Sequence, residues 1–89
     1  MYYISINVGD NKQILIDKEF EYLTKWQIGV YTDTNGNHHA IGVDPKTRKT
    51  IQLDKHIMNL HNKRQKIIHH IDGNTLNNLK DNLIIIDKL

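Results

Sequence analysis

The chain has 89 residues, a formal charge of +2, 38% apolar residues and no cysteine. That bounds it to one small domain, or one and a half, with a thin core, and it excludes a disulfide framework or a thiolate metal site. No apolar run approaches the roughly 18 residues that suggest a membrane span, and residues 1–7 lack the basic start and apolar core of a signal peptide.

In chain order, residues 2–7 alternate loosely and residues 13–16 are again strand-like, with Gly9-Asp10-Asn11 as a turn between them. This predicts a β-hairpin. Asp17 is placed to cap a short helix over 18–24, with Glu19 and Glu21 in its first turns. Phe20, Leu23 and Trp26 would share its buried face. Residues 26–32 are β-branched and aromatic, hence a strand. Asn35-Gly36 centres the turn that follows, and residues 39–43 form the return strand. A second turn over 44–49 leads to a third strand at 50–53. Residues 54–60 place Ile57, Met58 and Leu60 at helical spacing, with Asp54 as a cap.

Charge is unevenly distributed. Residues 1–44 hold three Lys against six Asp and Glu, and residues 67–89 hold two Lys against three Asp. Between them, Lys46, Arg48, Lys49, Lys55, Lys63, Arg64 and Lys66 stand against Asp54 alone. Such a block suits a phosphate-binding surface, and equally a solvated loop.

Residues 67–86 read IIHHIDGNTLNNLKDNLIII: two apolar runs flank a loop of Asp, Gly and Asn. Two strands joined by a long turn are expected. His69, His70, Asp72, Gly73, Asn74, Asn78, Asn82 and Leu83 fall on a pattern that resembles the HNH nuclease motif. The resemblance extends upstream through Ile14-Leu15-Ile16-Asp17, Glu19-Phe20-Glu21-Tyr22-Leu23 and Trp26. That layout is similar to small phage and homing-type HNH proteins with an N-terminal APETALA-like DNA-binding sheet. Leu53-Asp54-Lys55-His56-Ile57-Met58 loosely matches the helix that precedes the motif in that family.

The resemblance implies an α+β fold. A β-rich, DNA-binding region over 1–53 would precede a helix and an incomplete HNH ββ-metal unit over 54–89. It implies hydrolysis of a phosphodiester with one divalent cation, Mg²⁺, and double-stranded DNA as partner. His69 would take the first metal-ligand position and His70 that of the general base. Asn82 would bridge the strands and fix the base, and Asp72, Asn74, Asn77 and Asn78 would hold the loop. Neighbouring strand residues face opposite ways, so both histidines serve one site only where the strand distorts. The family's second ligand lies on a helix nine residues past the position of Asn82, which falls beyond Leu89.

Three functions are therefore expected. The first is an HNH-derived DNA-binding protein with little or no nuclease activity. The second is an Mg²⁺-dependent nicking enzyme completed by dimerisation or by residues past 89. The third is a phage-encoded inhibitor that binds a host defence protein. A bacterial cytoplasm suits all three. His38, His39, His56 and His61 read as surface or core-edge residues, and Phe20 and Trp26 as core rather than base-stacking platforms.

Overall fold

The computed structural model describes residues 2–60 and 65–87. The chain folds as α+β, with three small antiparallel sheets and short helices among the described residues.

β1 (Tyr3–Asn7) and β2 (Gln13–Asp17) form the expected hairpin, paired from Tyr3↔Asp17 to Asn7↔Gln13. Its turn places Gly9, Asp10 and Asn11 at positive φ, a region that Gly, Asp and Asn tolerate. Alternation along β2 turns Ile14 and Ile16 inward, and both are fully buried.

The helix expected over 18–24 is a 3-10 helix, Lys18–Lys25, kinked at Phe20. Leu23 is its fully buried anchor, and the Leu23 carbonyl accepts from Trp26 N at 3.0 Å to close the last turn. Asp17 makes no side-chain cap there. Its Oδ1 instead accepts a hydrogen bond from Lys80 N at 3.3 Å, so a distant contact replaces the local one.

β3 (Gln27–Thr32), β4 (His38–Val43) and β5 (Thr50–Gln52) form a sheet in the order β3-β4-β5. Asp33 builds the first turn, where its Oδ1 accepts from Asn35 N at 2.9 Å and Asn37 N at 3.0 Å. Gly42 lies mid-β4 opposite Ile28. A Cβ there would stand 2.9 Å from Ile28 Cδ1, 3.1 Å from Trp26 Cε3 and 3.2 Å from Leu53 Cδ2. Glycine thus lets the Trp26 ring and two aliphatic tips close onto the strand. The following helix, α1 (Leu53–Ile57), is shorter than the 54–60 expected. Leu53 and Ile57, one turn apart, bury a single face. Gln52 rather than Asp54 occupies the N-cap, and Asp54 lies inside the first turn.

β6 (Lys66–His70) and β7 (Leu83–Asp87) pair from Lys66↔Asp87 to His70↔Leu83. The loop between them docks on β2: Leu15 N donates to the Leu76 carbonyl at 3.0 Å, and Asn78 N donates to the Leu15 carbonyl at 2.8 Å. Ile14, Ile16, Leu23, Ala40, Leu53, Ile57, Leu76 and Leu83 form the buried core cluster. The regions on either side of residue 53 therefore share one core. A radius of gyration of 12.5 Å, against about 12 Å expected for this length, agrees with a single body. No helix among the described residues is long and apolar enough to cross a membrane.

Candidate functional site

The loop between β6 and β7 is built from Asx side chains that bond the backbone. Asp72 Oδ1 accepts from Asn74 N at 2.8 Å, and Asn74 Oδ1 accepts from Leu76 N at 3.1 Å. Asn77 Nδ2 donates to Asp72 Oδ2 at 2.8 Å. Gly73 takes φ +75 directly after Asp72, a conformation an L side chain would strain. These bonds hold the Asp72 carboxyl below the ordinary carboxylate pKa, the amide of Asn77 contributing most, then the backbone of Asn74 and the amide of Asn82.

Asn82 closes the loop. Its Oδ1 accepts from Asp72 N at 3.0 Å, and its Nδ2 donates to Asp72 Oδ1 and to the Asn77 carbonyl, both at 2.9 Å. Its own carbonyl accepts from Ile71 N at 2.9 Å. The amide thus ties both ends of the loop together and is itself only 9% exposed.

β6 keeps its ladder to its last residue, without the distortion that would bring both histidines onto one face. His69 is exposed, and His70 is 8% exposed on the core side. His70 Nε2 lies 2.9 Å from Asn78 Oδ1 and 3.9 Å from Asp54 Oδ2. An amide oxygen and a carboxylate are both acceptors, so Nε2 carries the proton and donates to Asn78. The lone pair of the neutral ring is then on Nδ1. His70 is consequently a buried cross-link between β6 and the loop, with the Asp54 carboxylate of α1 near its N–H. Asn78, 1% exposed, is fixed by the same contact.

Both histidines border a shallow cleft of about 280 Å³ with Asn37, His39, Gly73 and Thr75. His39 is more structured than the sequence reading allows. Its Nε2 donates to Asp33 Oδ2 at 2.9 Å, and this contact leads the causes that hold the Asp33 carboxyl below its ordinary range. The signal was an Asp at the start of a hairpin turn and a His on the return strand, six residues apart. For a divalent cation on His69 the fit is poor. No three of His, Cys, Asp and Glu gather around a common point among the described residues, and the neighbouring His70 turns its Nε2 inward.

The basic residues separate into groups. Lys49 and Lys55 line an open groove of about 520 Å³ beside β5 and α1, and Lys46 and Arg48 stand on the same 44–49 turn. Arg48 also lines a second cleft, of about 350 Å³, with Lys25 and Trp26. Lys66 is ion-paired with Asp87 across the open end of the β6–β7 hairpin, so its charge is offset. Lys63, Arg64 and His61 lie outside the described residues.

The chain matches no family model, no curated protein and no solved structure.

Proposed function

We propose that the chain is a double-stranded DNA-binding protein of the phage HNH type, acting in a bacterial cytoplasm, whose HNH-like loop is a structural remnant with little or no nuclease activity. The observation that carries the binding half is the placing of Lys46, Arg48, Lys49 and Lys55 around one turn and the helix beside it. Lys49 and Lys55 share one groove, with Lys46 and Arg48 on the adjoining turn, and cations so gathered supply the sequence-independent attraction to phosphate that dominates DNA affinity. The second half is supported by the lack of any three His, Asp or Glu side chains around a common point among the described residues, and by the use of His70 Nε2 to cross-link the loop through Asn78.

The test is a gel shift of a short duplex at about 50 mM salt, where four phosphate contacts give readily measured binding. Retardation by the protein, lost on replacing Lys46, Arg48, Lys49 and Lys55 together, is expected. No retardation at that salt removes the reading. Weight then passes to a protein-binding inhibitor, which one observation favours: Ile67, Ile71, Ile84, Ile85 and Ile86 are each at least 40% exposed on one hairpin and its adjoining loop. By the strand register Ile67, Ile84 and Ile86 share one face of that hairpin, and exposed aliphatics gathered in this way mark protein contact surfaces.

A further inference from the structure

The cleft of about 350 Å³ beside the 44–49 turn shares Arg48 with the duplex-binding surface proposed above and adds groups which that function does not require. Trp26 and Pro45 give it apolar walls. Lys25 and Arg48 give it two cations, and Gln27 and Asp44 give it an amide and a carboxylate. We propose that this cleft binds one unpaired nucleotide, with its base against Trp26 and Pro45 and its phosphates on Lys25 and Arg48. This rests on the nucleic-acid reading and deepens it by naming an unstacked base as part of the ligand.

The parts are held before any ligand arrives. The Trp26 ring packs at 6.2 Å and 66° from Tyr22 and at 5.2 Å and 58° from His56, while Gly42 admits its edge. Tyr22 Oη and His56 Nε2 are themselves hydrogen-bonded at 2.6 Å, so the frame around the indole is cross-linked. Arg48 sits at φ +61, its N–H bonded to the Asp44 carbonyl at 2.7 Å. The indole wall and the backbone of the turn are therefore in place, and the ordering cost that remains is that of the exposed Lys25 and Arg48 side chains.

The charge pattern selects the ligand class. Asp44 Oδ1 already accepts from Lys46 N at 2.8 Å, which leaves Oδ2 to accept from a ligand N–H. Inorganic phosphate offers two cations an anion but gives that carboxylate only repulsion. A nucleotide satisfies both, because its base carries imino or amino N–H groups and a π-face while its phosphate is displaced to one side. A cleft of this volume accepts one such unit and not a stacked base pair.

Trp26 is the single tryptophan of the chain, so its fluorescence reports the site directly. The intact chain is titrated with a ten-residue single strand of deoxyadenylate, the same strand in RNA, and a blunt duplex. Saturable quenching by the single strand, beyond any caused by the duplex, is expected. Replacing Lys25 and Arg48 together by Ala should reduce the single-strand salt slope by about 1.4, at about 0.7 per phosphate contact. Trp26→Ala, read by anisotropy of a labelled strand, should weaken binding about tenfold. Since Trp26 also packs on Gly42, the Lys25 and Arg48 variants keep the test valid if Trp26→Ala fails to fold. Equal quenching by the RNA strand supports the proposal and leaves the sugar unread. Retardation of duplex without single-strand quenching overturns this inference alone, and absence of both overturns the DNA-binding reading with it. Quenching that survives loss of both cations with an unchanged salt slope also overturns it.

Discussion

Asn82 gives its whole amide to the loop: the oxygen takes one backbone N–H, and the nitrogen serves a carboxylate and a carbonyl. Asn82→Ala should cost about 1–3 kcal/mol in chemical denaturation, because Asp72 N and the Asn77 carbonyl lose partners in a largely buried place. Asn82→Asp should be worse at pH 7, since a carboxylate cannot donate and would face that of Asp72. The deficit relative to Asn82→Ala should narrow as pH falls through the carboxylate range. In the parent chain, Asp72 and Asp33 have folded pKa values depressed below the ordinary 3.8. The stability they contribute is present above that value and is lost as pH falls through the lower folded values. The melting temperature should therefore drop on acidification below about pH 4. Asp72→Asn should make that drop shallower, as measured by circular dichroism melts from pH 6 to pH 2. His70→Ala should destabilise by about 1–3 kcal/mol by leaving Asn78 Oδ1 buried without its donor, and His70→Gln should recover part of that loss.

Two elements show how one residue's position on a strand sets its importance. Leu83 and Ile84 are adjacent on β7, yet Leu83 is 6% exposed and Ile84 is 46% exposed. Leu83→Ala should cost about 2–5 kcal/mol through transfer and cavity terms. Ile84→Ala should cost under about 1 kcal/mol in equilibrium denaturation, since most of its surface remains in water. On β4, Gly42→Ala should destabilise by about 1–3 kcal/mol, because the new methyl meets Ile28, Trp26 and Leu53 at once. All three neighbours are side-chain atoms, so the fold should persist with a displaced indole. A shift in Trp26 emission alongside the stability loss would report that displacement.

At the scale of the molecule, one core joins the hairpin β1–β2 to the loop that carries Asn82, through Leu15, Leu76 and Asn78. Loss of the loop should then melt the whole chain in one transition rather than release a separate unit. The net charge of +2 understates the field that DNA would meet, because the acidic residues are concentrated outside residues 45–66. If Lys46, Arg48, Lys49 and Lys55 each meet a phosphate, duplex affinity should fall about a hundredfold between 50 and 200 mM salt. Each single Lys→Ala should reduce the slope by about one. Nicking of supercoiled plasmid with Mg²⁺ should be negligible. Metal-dependent nicking abolished by His70→Ala would instead make His70 the general base and overturn the remnant reading.

Short-range order was legible in the sequence. Gly9-Asp10-Asn11 and Asn35-Gly36 marked turns because those residues tolerate the backbone angles a turn requires. Alternating isoleucines marked β2, and the basic block was countable. The α+β class follows from such local signals, and so does the long Asx-rich loop between two strands. What only the tertiary structure decided involves partners far apart in the chain. Asp17 serves Lys80 N, 63 residues away, instead of capping its own helix. Residues 18–25 close as a 3-10 helix around buried Leu23, since so short a segment takes its geometry from packing. The side of β6 that faces the core, and hence the separation of His69 from His70, is set by a register that a one-residue slip would reverse. Trp26 reads as core by composition. It takes a cleft wall because Gly42 and Arg48 join it and its neighbour Lys25 only when the sheet has formed.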